Sequence, residues 1–209
     1  MDGLLVDSEP LWRVAETNVF GRLSIAPTEA DFEKMMGNRI QEVIANWHAK
    51  HPWNDFSIEK TQKEIIEEVG RLVTSTAELM PGVVNVFDQL KMENGALKIA
   101  LASSSPLSLI EQITKHFNIY DRFDVVCSAE FEKQGKPAPD VFLTAAKKLG
   151  VEPEHCLVFE DSYNGVLAAK NAGMKCVAVP AKEYFDDPRF DITDVKLRSL
   201  NEFSLSHLV

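Results

Sequence analysis

Apolar residues recur every three to four positions in three stretches between about Pro10 and Leu79: LWRVAETNVFGRL, NRIQEVIANWHAK and SIEKTQKEIIEEVGRLVTSTAELM. That period keeps an apolar stripe on one face of a helix, so a small helical bundle without strands is expected here. HPWNDFS breaks the pattern between the second and third stretches. Its Ser57 can accept from the free N–H groups of the helix that follows.

From Met80 onward the period changes. Short unbroken apolar runs, ALKIALA, FDVVCS, HCLVFE and KCVAVP, alternate with helical stretches, PGVVNVFDQLKMEN, SPLSLIEQITKHFN, APDVFLTAAKKLG and NGVLAAKNAG. Strands buried on both faces read as continuous apolar runs, and the helices between them supply parallel crossovers. The expected fold class is α/β, a doubly wound parallel sheet whose ligands sit at the carboxyl ends of its strands. An edge strand near Val195 and a last helix are expected in the tail. The opening MDGLLVDSEP reads as a strand exit with no strand before it, so the helical zone interrupts the α/β part. Residues 1–9 and 80–209 are expected to form one unit, with 10–79 inserted in it.

Three strand ends carry polar residues. KIALASSSP ends in Ser103, Ser104 and Ser105, just before a helix. Hydroxyls and free N–H groups there can hold an anion, although a serine at that place can equally be a plain helix cap. CLVFEDSYNG ends in the adjacent carboxylates Glu160 and Asp161. These are hard oxygen ligands of the kind Mg²⁺ takes, or else a solvated acidic turn. KQGKPAPDVF fixes Lys136 ahead of two prolines; alone, it would be an ordinary surface lysine. Asp2 and Asp7 complete the set near the start of the chain.

Composition narrows the partners. Hydrophobic residues are 45% and charged residues 26% of the 209, ordinary for a globular protein. A net charge of −10 leaves no basic surplus to displace counterions from a nucleic acid. No apolar stretch is long enough to span a membrane, and no leader pattern opens the chain. Cys127, Cys156 and Cys176 sit in apolar runs without metal-ligand spacing, so a reducing, cytoplasmic setting is expected. A monomer is the expected state, on no particular residue.

Taken in order, MDGLLVDSEPLW, IALASSS, KPAPDVF and EDSYNG resemble the haloacid-dehalogenase superfamily. Within it they resemble the branch of β-phosphoglucomutase, phosphoglycolate phosphatase and the 2-deoxyglucose-6-phosphate or hexitol-phosphate phosphatases. The branch pattern is D-x-D-G-x-x-x-D-[ST], a strand ending in Ser or Thr, K-P-x-P-D and E-D-S-x-x-G. The resemblance implies that Asp2, the second aspartate of D-x-D, is the general acid/base and ligates Mg²⁺ through its carbonyl. It implies that Ser103 and the Ser104 N–H hold the transferring phosphoryl group, that Lys136 neutralises its charge, and that Asp161 with Glu160 anchors the Mg²⁺. It also makes the helical insert a cap that selects the substrate, with Asn38 and Arg39 as candidate contacts to a distal group.

The first aspartate of D-x-D is the nucleophile, and its place is immediately before Met1, after a central strand that also lies upstream. The resemblance therefore implies a nucleophile just upstream of Met1, and inactivity for residues 1–209 taken without it. The implied reaction is Mg²⁺-dependent hydrolysis of a small sugar or polyol phosphate through an aspartyl-phosphate. A phosphosugar mutase and an inactive fold kept for binding are the alternatives. The mutases carry a histidine where this chain has Trp12, and none of its five histidines is near, which points to hydrolysis.

Overall fold

The computed structural model describes residues 1–91 and 97–208. Four helices fill the first zone: α1 (Glu9–Arg22), α2 (Glu29–Met35), α3 (Ile40–Lys50) and α4 (Ile58–Thr76). Ser57 caps α4, its hydroxyl accepting from Lys60 N at 3.1 Å. Helix α2 was not expected, because seven residues are too few to show a period. Its signal lies in its cap: Thr28 N donates to Asp31 Oδ2 at 3.1 Å, and Asp31 N donates back to Thr28 Oγ1.

The second zone alternates as its pattern predicts. Helix α5 (Val83–Lys91) is followed by β1 (Ala100–Ser103), α6 (Leu107–His116), β2 (Val125–Ser128), α7 (Asp140–Leu149), β3 (Leu157–Glu160), α8 (Tyr163–Asn171), β4 (Lys175–Ala178) and β5 (Val195–Lys196). The expected end of α5 near Asn94 and the expected strand start at Ala96 lie outside the described residues. In place of a last helix, two 3₁₀ turns close the chain, Leu200–Glu202 and Leu205–Leu208.

All strand pairs are parallel, in two groups: β1 with β2, and β3-β4-β5. Strands β1 and β3, each paired on one side only among the described residues, both line a cavity of about 570 Å³ that also touches Met1, Leu4 and Leu5. Helices α4 and α6 pack together, with Ile65 and Val69 against the same core as Leu109, Ile110 and Ile113, all fully buried. Burying each such side chain contributes roughly 1.5–3 kcal/mol. The helical zone is thereby tied to the sheet. Among the described residues no helix is long and apolar enough to cross a membrane.

Candidate active site

Residues 1–6 make a tight turn, with Leu5 N donating to Met1 O at 2.8 Å and Gly3 N to Val6 O at 3.0 Å. Gly3 has φ +67°, and a Cβ there would lie 2.3 Å from Asp161 Oδ2. Only glycine allows the turn to come so close to that carboxylate. The Asp2 side chain is held by three donors: Ser8 Oγ at 2.7 Å and Trp12 Nε1 at 2.9 Å on Oδ1, and Ser105 Oγ at 2.7 Å on Oδ2.

The serines after β1 do not cap α6. That position is taken by Pro106, and the first free N–H, Leu107, donates to Glu130 Oε2 at 2.6 Å. Ser103 is buried, and its hydroxyl accepts from Ser105 N at 3.1 Å. Ser104 Oγ donates to Gly37 O at 2.8 Å, linking the strand end to the helical zone.

Lys136 and Glu160 are both buried and pair directly, so neither is a solvated surface group. The ammonium also lies 4.7 Å from the centroid of the Phe142 ring. Ser162 Oγ donates to Glu160 Oε2 at 3.1 Å, and a Cβ at Gly165 would fall 2.0 Å from the Glu160 carboxyl carbon. Burial acts to raise the Glu160 carboxyl, but the Lys136 ammonium outweighs it and holds the group below its usual range. Asp161 behaves oppositely. Burial, then the charges of Glu160 and Glu9, push it well above its usual value.

Asp2, Ser103, Ser104, Lys136, Glu160, Asp161 and Asn38 all line one cavity of about 100 Å³. Arg39 does not. Its Nε donates to Glu42 Oε1 at 2.8 Å, and its Nη1 to the carbonyls of Glu132 at 2.9 Å and Ala129 at 3.3 Å. Asn38 Oδ1 accepts from Asn164 Nδ2 at 3.1 Å.

Comparison with known proteins gives the family. Residues 1–173 match the family model described as haloacid dehalogenase-like hydrolase. The chain belongs to the haloacid dehalogenase-like hydrolases. It is 42% identical over 210 residues to Hexitol phosphatase B of Escherichia coli (strain K12), covering 100% of this chain and 94% of the relative. It is 31% identical over 185 residues to Fructose-1-phosphate phosphatase YqaB of the same strain, covering 86% of this chain and 93% of the relative. Among solved structures, CbbY from Rhodobacter sphaeroides in complex with phosphate superposes with a TM-score of 0.88 at 26% identity, covering 100% of this chain and 96% of that one. As a haloacid dehalogenase-like protein with phosphatases matching along its length, the chain is a phosphomonoester hydrolase.

Members of this family use Mg²⁺, and the carboxylates of this chain can be tested for it. Among the described residues no three His, Cys, Asp or Glu side chains are grouped so as to hold a metal. Mg²⁺ needs less, one or two carboxylates with water and phosphate oxygens completing the shell. Asp161 meets that need. Among the described residues no group donates a hydrogen bond to it, and the carboxylates of Glu160 and Glu9 crowd it. A carboxylate crowded by others and without a donor of its own suits a cation. Glu160 is turned to Lys136 and Ser162, and the Asp2 carboxylate to its three donors, which leaves the Asp161 carboxylate and the Asp2 backbone carbonyl as the groups that fit the ion.

Sequence reading missed Glu9, Arg13 and Glu16 as lining residues, and took Trp12 only as the residue standing where the mutases carry a histidine. The signal was present as spacing: positions i, i+3, i+4 and i+7 share one face of α1. Ser105 was noticed in its triplet but not as the donor to Asp2.

Proposed function

We propose that the protein is a Mg²⁺-dependent phosphatase that hydrolyses a small sugar or polyol phosphate through an aspartyl-phosphate. The observation that carries this reading is the gathering of Asp2, Ser103, Lys136 and Asp161, far apart in the chain, around one cavity. The names of the relatives, a hexitol phosphatase and a fructose-1-phosphate phosphatase, support the substrate class.

The nucleophile is an aspartate immediately before Met1, on a strand seated between β1 and β3. The cavity of about 570 Å³ between those strands, touching Met1, supports that placement. A carboxylate oxygen of the nucleophile attacks phosphorus, the ester P–O bond breaks, and Asp2 gives its proton to the leaving alkoxide. Asp2 then takes a proton from water, whose oxygen attacks phosphorus and releases phosphate with the aspartate restored. Three donors hold the Asp2 carboxyl in one orientation through both transfers. Ser103 and Lys136 bind the phosphoryl oxygens as charge develops on them. The Asp161 carboxylate and the Asp2 backbone carbonyl would hold Mg²⁺, with Glu160 beside them, and the ion would supply positive charge against the same oxygens. Trp12 stands where the mutases place a histidine and donates to Asp2, which supports hydrolysis over isomerisation.

Residues 1–9 and 80–209 form the core in this reading, and 10–79 the cap that excludes water. The contacts of Ser104 with Gly37, and of Asn164 with Met36 and Asn38, support a closed cap. The enzyme works as a cytoplasmic monomer on small phosphate esters, away from nucleic acid and membrane. The test uses the chain extended upstream of Met1 by an apolar strand ending in aspartate, with Mg²⁺. Free phosphate from glucitol 6-phosphate, and no glucose 6-phosphate from β-glucose 1-phosphate, is the expected result; the reverse pattern overturns it.

A further inference from the structure

We infer that Glu16 reads the far end of the substrate, accepting hydroxyls of a polyol monophosphate and turning away a second phosphate. The inference deepens the proposed function and rests on the strand ends being the phosphate seat.

Helix α1 runs along the cavity from the strand ends outward. Trp12, bound to Asp2 at 2.9 Å, fixes where the helix meets the reaction centre. Glu16 lines the same cavity one turn further on, about 6 Å along the axis from Trp12 and about 10 Å from Glu9. That span matches an extended six-carbon chain laid from the phosphate end. Another part of the cavity wall is apolar, with Phe32, Met35, Ile40 and Val43 from α2 and α3. Such a wall can cover the C–H face of a polyol but cannot satisfy its hydroxyls.

Glu16 is the unpaired polar group of this outer part of α1. Arg13, one turn back, is paired with Glu29. Among the described residues Glu16 has neither an ion pair nor a hydrogen bond, so it takes no part in holding the fold together. Glu16 is half-buried, and a partly desolvated carboxyl without a partner is unfavourable, which a ligand hydroxyl would offset. Burial raises it to about 7, so both ionised and neutral forms are present near neutrality. A hydroxyl satisfies either form, because it can accept as well as donate. A phosphate cannot. Placed at the same point, its charge repels the ionised carboxylate.

Isothermal titration at pH 8 with Mg²⁺, above the Glu16 value, tests this with three probes: inorganic phosphate, mannitol 1-phosphate and mannitol 1,6-bisphosphate. The unaltered chain is expected to prefer the monophosphate over the bisphosphate by about tenfold or more. Glu16→Gln keeps the shape and the hydrogen bond, so it should lose that preference by tightening the bisphosphate. Glu16→Leu should weaken mannitol 1-phosphate toward inorganic phosphate. Inorganic phosphate should bind all three proteins alike. Unchanged preferences in both variants, with inorganic phosphate still bound, overturn the role of Glu16 alone. Failure of the unaltered chain to bind inorganic phosphate overturns the phosphate seat itself, and this inference with it.

Discussion

The strand ends and helix α1 face each other across one cavity, yet their polar groups are engaged very differently. On the strand side the groups other than Asp161 already have partners: Asp2 holds three donors, Lys136 pairs with Glu160, and Ser103 accepts from Ser105. On the α1 side Glu16 faces the cavity with no partner among the described residues. Groups fixed before the substrate arrives need no rearrangement as charge develops, which suits the chemical step. A group still free to bind suits selection. Under the proposed function, one wall would set the rate and the other the preference.

The largest effect should come from the strand side. In the extended chain, Asp2→Asn keeps the shape but removes the transferable proton. It is expected to lower kcat by about 10²–10⁴-fold, with the affinity for inorganic phosphate changed only a few-fold. Steady-state kinetics beside phosphate titration separates the two. A rise in KM with kcat intact would break the division, since it would make Asp2 a binding group.

Next comes Lys136→Met, which leaves the buried Glu160 carboxylate without its cation. Breaking one side of a buried pair costs about 3–5 kcal/mol, and Lys136→Met with Glu160→Gln should recover much of it in urea unfolding. The pH dependence has a definite sign. Because Lys136 holds Glu160 below its unfolded value, the pair stabilises the fold above that unfolded value and loses its effect as pH falls through the folded one. The variant should therefore lack this acid-side loss. Equal acid sensitivity in both proteins would show that the pair is not what fixes this wall.

These two regions were also unequally legible in the sequence. The strand ends were found because an apolar run that stops in Ser103, or in Glu160 and Asp161, marks where a parallel strand leaves the sheet. The α1 wall was invisible as a wall, because Glu9, Arg13 and Glu16 read like any solvated helix face until α2 and α3 cover it. Helix α2 was too short for its period to show. Arg39 illustrates the same limit from the other side. Its place in the chain suggested a substrate contact, and only the fold brings the carbonyls of Ala129 and Glu132 within its reach.

A smaller effect sharpens the α1 side through stability alone. Burial lifts Glu16 from 4.5 to about 7, so between those values the unfolded chain gives up its proton while the folded one keeps it. Stability should therefore fall as pH rises across that window, by roughly 3 kcal/mol at most for such a shift, and level off above it. Glu9 shifts to about 7 as well and contributes a parallel fall. Glu16→Gln should remove only its own share, raising Tm at pH 8 and leaving it unchanged at pH 4. An equal gain at both pH values would mean that charge at Glu16 is not the cause.

The smallest effect is expected where the two regions are strapped together. Arg39 donates from the start of α3 to two carbonyls of the loop after β2, at 2.9 and 3.3 Å, while Glu42 holds its guanidinium in line. Arg39→Ala releases both carbonyls, a loss of about 1–2 kcal/mol, and should loosen the helical zone over the strand ends. A strap acts on every ligand alike, so mannitol 1-phosphate and inorganic phosphate should weaken by the same few-fold. A contact to the substrate would act on one only. Selective weakening of the polyol phosphate in Arg39→Ala would therefore move Arg39 from the strap to the selecting wall, and the division between the two walls would have to be redrawn to include α3.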